Sequence, residues 1–172
     1  MAKPLQTYIF CLDDHRTFSE DVKKRFTDSS RYIVNVSHNR DDLLKSLRQV
    51  QDHRFCKVAI IGLNDTKENF EIADHLVGEI KKMDISTGIL ILVPPDKLEE
   101  ARKTIRVNID SHIPRNANSI LRIHNTVKKL ISQHSLHIYR KKKTISMYAL
   151  ISFILLSVIL ALLAWLKLPM YF

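Results

Sequence analysis

Glycine is scarce in this sequence, with only 3 among 172 residues. Proteins that cradle a phosphate group do so with glycine-rich loops, because the backbone must approach the ligand closely. Here the first predicted strand is followed by Asp13 and Asp14, whose carboxylates would repel a phosphate, and no loop rich in Gly, Ser or Thr takes their place. We therefore do not expect a phosphate-cradling nucleotide binder.

Cysteine is equally scarce, since Cys11 and Cys56 are the only two. Two cysteines do not make a disulfide framework or a metal cluster. They are predicted at opposite ends of neighbouring parallel strands, roughly 15 Å apart from strand rise alone, so we expect no disulfide. Four histidines are too irregularly spaced for a metal site: His112, His124, His134 and His137. These features fit a reduced, cytosolic compartment, as does an amino terminus without an apolar run of signal-peptide length.

Charged side chains and histidine are absent from residues 145 to 166. A helix of this length is about 33 Å long, slightly more than the hydrocarbon core of a bilayer. Beyond the run only Lys167 is basic, whereas the amino side carries a cluster formed by Arg140, Lys141, Lys142 and Lys143. By the positive-inside rule the amino-terminal part stays in the cytosol. We expect a single-pass, tail-anchored membrane protein.

Acidic residues are rare after residue 96, and the net charge of +9 is therefore local. Residues 97 to 172 hold 13 Lys or Arg against 3 Asp or Glu, whereas residues 1 to 96 hold 14 against 15. The basic excess suits either a solvated face over an acidic membrane or a docking face for an acidic partner. We expect no nucleic-acid partner, because no helix-turn-helix, zinc or RNA-binding motif accompanies the charge.

The apolar runs predict five strands, each followed by an amphipathic helix. The strands are expected within residues 7 to 12, 32 to 37, 57 to 63, 88 to 95 and 107 to 114. Five such units predict an α/β fold, a flavodoxin-like, doubly wound, five-stranded parallel sheet of order 2-1-3-4-5, followed by one C-terminal transmembrane helix. The domain boundaries follow: residues 1 to 136 as the cytosolic domain, 137 to 144 as a basic juxtamembrane linker, 145 to 166 as the transmembrane helix and 167 to 172 as a short tail.

The motif that follows the first strand is Cys-Leu-Asp-Asp-His, with the acidic pair at Asp13 and Asp14. With this pair and the predicted fold, residues 5 to 133 resemble the response-regulator receiver (CheY-like) family. The resemblance implies that the pair holds Mg²⁺, that an Asp ending strand 3 is phosphorylated, that Ser or Thr ends strand 4 and that Lys ends strand 5. Without a metal, the same pair would instead cap the first helix.

The remaining receiver positions depart from the family pattern. Gly62 stands where the phosphorylated Asp belongs, Val93 replaces the hydroxyl residue, and Arg115 replaces the Lys. His112 takes the position of the family's switching aromatic residue. Glycine has no nucleophile, so the sequence predicts a degenerate receiver, or pseudo-receiver.

These departures predict a phosphorylation-independent interaction module in two-component signalling rather than an enzyme. Two alternatives stay open: a working phospho-receiver that uses Asp65 or Asp14, and an electrostatic membrane adaptor. The resemblance implies that the partner face is built from helix 4, strand 5 and helix 5. The expected contacts there are Arg102, Arg106, His112, Arg115 and Arg122.

The expected partners are a signalling protein with an acidic face and membrane lipid. Ser157 and Ala161 form one small-xxx-small pair in the apolar run, which suggests a homodimer as a further state. We expect no cofactor, with Mg²⁺ on Asp13 and Asp14 as the alternative. From the receiver likeness alone, we expect the membrane to be a bacterial inner membrane.

Overall fold

The computed structural model describes residues 6–50, 52, 55–63, 67–105 and 109–167. Two residues singled out above, Asp65 and Arg106, lie outside this part of the chain, as do the side chains of Lys141 and Lys142.

Five strands alternate with five helices, as the periodicity predicts. In chain order they are β1 (Thr7–Leu12), α1 (Arg16–Arg25), β2 (Tyr32–Ser37), α2 (Arg40–Gln49), β3 (Cys56–Gly62), α3 (Lys67–Met83), β4 (Gly88–Val93), α4 (Leu98–Thr104), β5 (Ser111–Pro114) and α5 (Ser119–Lys167), with a 3₁₀ turn at Pro95–Lys97 before α4. The strands form one sheet of order β2-β1-β3-β4-β5, in which every neighbouring pair is parallel. The predicted fold class and strand order are therefore confirmed.

Local sequence explains where the elements begin and end. The Asn39 side chain caps α2 by accepting a hydrogen bond from the Asp42 backbone N–H at 2.8 Å. β4 stops immediately before two prolines, which cannot continue a central strand. All six residues of β4 are buried, as expected for a strand that is covered on both faces.

Helices cover both faces of the sheet and give it two apolar cores. On one face the core side chains of α2, α3 and α4 include Leu43, Phe70 and Ala101. On the other face α1 and the first part of α5 supply Phe18, Val22, Ile123 and Val127. The sheet is thus the middle layer of three.

The chain divides into two compact units, Met1–Ser132 and Gln133–Phe172. The first unit contains the sheet. In the second unit, Ser146–Leu163 is long and apolar enough to cross a membrane, with a mean hydropathy of 2.5 and no buried residues. It is the one such helix within the described residues. Arg140 and Lys143, on the amino side of this segment, are exposed.

Ile60→Ala should lower the free energy of unfolding by about 2–5 kcal/mol, because it leaves a cavity in the middle of β3, where Ile60 is 0% exposed. The matched change Ile85→Ala, at a side chain that is 80% exposed, should alter it by less than about 0.5 kcal/mol. Denaturant unfolding of the full chain in detergent, followed by circular dichroism, measures both. Equal effects of the two changes would contradict the assigned core.

Candidate functional site

Four residues singled out in the sequence meet where the strands end. Asp13 directly follows β1, Gly62 and Val93 end β3 and β4, and Arg115 directly follows β5. Because carboxyl ends of parallel strands share one edge of a sheet, the four lie together at that edge. The backbone N–H of Arg115 donates to the Val93 carbonyl at 2.7 Å, which fixes the end of β5 against β4.

An ion pair joins Asp13 to Arg115 at this edge. Arg115 Nη2 lies 2.7 Å from Asp13 Oδ2, and Nη1 lies 3.4 Å from Oδ1. The Asp13 side chain is only 1% exposed and that of Arg115 is 22% exposed. β3 and β4 stand between β1 and β5, and three strand spacings amount to about 14 Å. The ion pair therefore lies across the carboxyl ends of β3 and β4.

Further contacts hold both partners of this pair in place. Asp13 Oδ1 accepts a hydrogen bond from the His15 backbone N–H at 2.8 Å, and His15 Nδ1 lies 3.3 Å from the same oxygen. The Arg115 guanidinium lies over the Phe18 ring, 5.4 Å from its centroid, at the range of a cation–π contact. The acidic pair was expected to take a loop-and-cap role at the first helix. The cap is wrong, since His15 is the N-cap of α1 and makes no side-chain cap hydrogen bond, whereas Asp13 does hold the loop through the His15 N–H.

The ion pair fills the space beside Gly62. A Cβ atom at position 62 would collide with Asp13 Oδ2, and it would lie 2.6 Å from Asp13 Cγ and 2.8 Å from Arg115 Nη2. No side chain fits there while the pair is formed. Glycine is therefore required at this position by space.

The residues at this edge do not fit Mg²⁺ as the receiver pattern would hold it. Both oxygens of Asp13 face the Arg115 guanidinium or the His15 N–H, and a metal ion beside that guanidinium would be repelled. Position 62 supplies no carboxylate. No group of three or more His, Cys, Asp or Glu side chains suited to a metal exists among the described residues.

The other expected site residues lie as follows. Val93 is fully buried and offers no hydroxyl group. Asp14 is exposed and lines a cleft of about 220 Å³ between the carboxyl ends of β1 and β3, the start of α2 and the first half of α3. Asp65 lies outside the described part of the chain, so the alternative in which it accepts a phosphoryl group stays a prediction.

The two cysteines are buried and free, which confirms that no disulfide joins them. Burial, followed by the nearby charge of Asp13, raises the pKa of the Cys11 thiol to about 12. Burial likewise raises the pKa of Cys56 to about 12, with a smaller contribution from Asp110. Both therefore remain neutral thiols, which are poor nucleophiles.

The expected partner-binding residues differ in exposure. Arg102 on α4 and Arg122 on α5 are exposed, and Arg102 Nη1 lies 3.0 Å from Glu99 Oε1. His112 on β5 is half-buried, and burial lowers its pKa. Arg115 is ion-paired with Asp13, and its expected contact with a partner stays a prediction. Sequence reasoning missed this ion pair, because the two residues are 102 positions apart.

The sequence matches no family model. One curated relative, the cysteine–tRNA ligase of Aliarcobacter butzleri, is 23% identical over 108 residues, which make up 63% of this chain and 23% of that enzyme. The chain thus spans less than a quarter of the length of the curated relative that it matches.

Solved structures show a clear likeness in fold. A response regulator receiver domain protein from Clostridium thermocellum has a TM-score of 0.61 and 16% identity, over 76% of this chain and 98% of that one. A CheY-like receiver domain protein from Methanospirillum hungatei has a TM-score of 0.60 and 13% identity, over 77% and 98%. An adenylate cyclase structure from Rhodopirellula baltica has a TM-score of 0.63 and 12% identity, over 80% and 96%. The chain therefore has the fold of the response regulator receiver domains.

Gly62→Ala should destabilise the fold by roughly 1–3 kcal/mol, because its Cβ forces Asp13 and Arg115 apart. The matched change Gly78→Ala meets no atom within 4 Å and lies in α3, where alanine is the better helix former. It should stabilise the fold by about 0.5–1 kcal/mol. Denaturant unfolding of the full chain in detergent measures the free energy of unfolding of both variants. If Gly62→Ala left this free energy unchanged, the ion pair would have to shift at little cost, which contradicts the prediction.

Proposed function

We propose that this chain is a membrane-tethered, receiver-like interaction module in signalling that works without phosphorylation of its own site. The observation that carries the proposal is the ion pair between Asp13 and Arg115. It fills the space that the side chain of a phosphoryl acceptor at position 62 would need.

Transfer of a phosphoryl group to a receiver needs a carboxylate as nucleophile and a cation that neutralises the phosphoryl oxygens. Position 62 lacks the carboxylate, and Val93 lacks the hydroxyl group that would contact the phosphoryl oxygen. The cation at this edge is the Arg115 guanidinium, which already neutralises Asp13. Each part of the reaction is therefore missing or occupied.

The ion pair also acts against switching. When one partner of a buried ion pair is removed, the other charge stays buried without compensation, at a cost of about 3–5 kcal/mol. Asp13, with a side chain 1% exposed, has no access to water as a substitute. We infer that the carboxyl edge keeps one arrangement, so that the domain presents one constant surface to its partner.

The proposed partner is a signalling protein with an acidic face. Arg102 and Arg122 are exposed on α4 and α5, the region in which the chain carries its basic excess. Complementary charge mainly accelerates association and selects the partner. The proposed site of this interaction is the membrane surface, because the exposed, apolar Ser146–Leu163 segment is preceded by basic residues that include Arg140 and Lys143.

The full-length protein in detergent should gain no phosphoryl group when it is incubated with Mg²⁺ and acetyl phosphate, because the acceptor position holds glycine. Intact-mass measurement checks this, with an active receiver domain as the positive control for the phosphodonor. The competing interpretation, a working receiver, wins if one phosphoryl group is gained and is lost again in Asp65→Ala or Asp14→Ala.

If the proposed acidic partner co-purifies with the wild-type protein, the double variant Arg102→Glu/Arg122→Glu should bind it at least about tenfold more weakly, because like charges would then oppose its acidic face. Partner recovery from membranes with the tagged, full-length protein measures the loss. A matched control is Lys24→Glu/Lys45→Glu, which reverses two exposed lysines on α1 and α2. If both double variants keep the partner, or both lose it, the basic face of α4 and α5 is not the contact.

A further inference from the structure

A second cleft lies at the opposite edge of the sheet, where the strands begin. It has a volume of about 320 Å³, at the lower end of the range for small-molecule sites. It opens between the end of α2, the end of α3 and the starts of β3 and β4. Apolar side chains line much of it: Leu47, Val50, Ile80 and Met83.

A buried lysine lies at this cleft. Lys57 belongs to the central strand β3, and its side chain is only 3% exposed. Lysine is rarely buried so completely without a partner. Its ammonium Nζ donates to Asp84 Oδ2 at 2.7 Å. An ammonium carries three hydrogens. Within the described part of the chain, Asp84 is the sole hydrogen-bond partner of Lys57, which leaves donors for an incoming acceptor.

The surrounding groups hold this lysine in place. Asp84 Oδ1 accepts from both the backbone N–H and the hydroxyl group of Ser86, at 2.9 and 2.6 Å. Burial alone would raise the pKa of Asp84, but hydrogen bonds from Lys57 and Ser86 outweigh it and keep the pKa below its usual value. Asp84 is therefore ionised. Lys81 donates to the Thr87 carbonyl at 2.8 Å and fixes the turn that leads into β4.

Two further features favour an anionic ligand. Thr87 lines the cleft, and its buried hydroxyl oxygen has no hydrogen-bond partner among the described residues. Buried polar groups normally have partners, so an unpaired one calls for an explanation such as a bound molecule. Arg48 is exposed at the rim, and no ion pair joins it to a described residue. Among the described lining residues, Lys57 and Arg48 against Asp84 give a net charge of +1.

We propose that this cleft binds a small monocarboxylate with an apolar body. The apolar body packs against Leu47, Ile80 and Met83, and the carboxylate accepts hydrogen bonds from the Lys57 ammonium, with Arg48 adding attraction at the rim. The site is separate from the Asp13–Arg115 edge, and the proposal does not depend on the function proposed above.

Calorimetric titration of the full-length chain in neutral detergent tests the proposal, with hexanoate as the probe and empty micelles as the baseline. We expect saturable binding at one site per chain. Hexanamide has the same shape without the charge, and it should bind about tenfold more weakly, because hydrogen bonds to charged groups are the stronger ones.

The double variant Lys57→Met/Asp84→Leu should bind hexanoate at least about tenfold more weakly. It should still fold, because apolar residues of similar volume often replace a buried ion pair without loss of stability. The matched control is Lys24→Met/Asp21→Leu, which removes an exposed lysine–aspartate pair on α1 and should bind as the wild type does. Arg48→Gln changes an exposed side chain that poses no risk to folding, and it should weaken binding severalfold.

Three results would each overturn the proposal. They are no saturable binding of hexanoate, equal binding of hexanoate and hexanamide, and hexanoate binding that stays as strong as in the wild type both in Arg48→Gln and, separately, in the folded double variant. If the double variant fails to fold, Arg48→Gln and the hexanamide comparison still decide the question.

Discussion

The ion pair between Asp13 and Arg115 is the interaction on which the carboxyl edge of the sheet depends. It joins the end of β1 to the end of β5 across two intervening strands, so it forms only when all four strands are in place. Gly62 leaves the space for it, Phe18 supports the guanidinium, and the Val93 carbonyl holds the Arg115 backbone. One pair of charges thereby accounts for two departures from the receiver pattern, Gly62 and Arg115, that a comparison position by position treats as separate.

A fixed internal cation has a different consequence from a bound metal ion. Mg²⁺ binds to its ligands reversibly, whereas a guanidinium on the same chain is always present and always charged. The local concentration of the guanidinium does not change with conditions, and its removal would leave the buried carboxylate without a compensating charge. Under the proposed function, the charge balance that a receiver alters on phosphorylation would stay constant at this edge.

Patterns within short stretches of sequence predicted most of the fold. Apolar runs located the strands, Asn39 marked the start of α2, and the handedness of strand crossovers predicted the sheet order. Contacts between distant residues were beyond such patterns. The local sequence around Arg115 is the same whether the side chain faces solvent or a buried carboxylate. The sequence therefore predicts Arg115 both at the receiver site and on the partner face, without naming Asp13 as its partner. One local signal was overlooked: Lys57 interrupts an otherwise apolar strand, and a lysine in that setting requires a buried partner.

The two edges of the sheet suggest where regulation would have to act. A ligand shifts an equilibrium only as far as its affinities for the two states differ. At the carboxyl edge the charge of Asp13 is balanced by Arg115 and the space beside Gly62 is filled, so little differential affinity is available to a ligand at that point. At the opposite edge, Lys57 has Asp84 as its one hydrogen-bond partner among the described residues and lies beside an open cleft. If that cleft binds a carboxylate as proposed, a ligand-driven signal in this domain would act through the edge at which the strands begin, whereas phosphorylated receivers use the carboxyl edge.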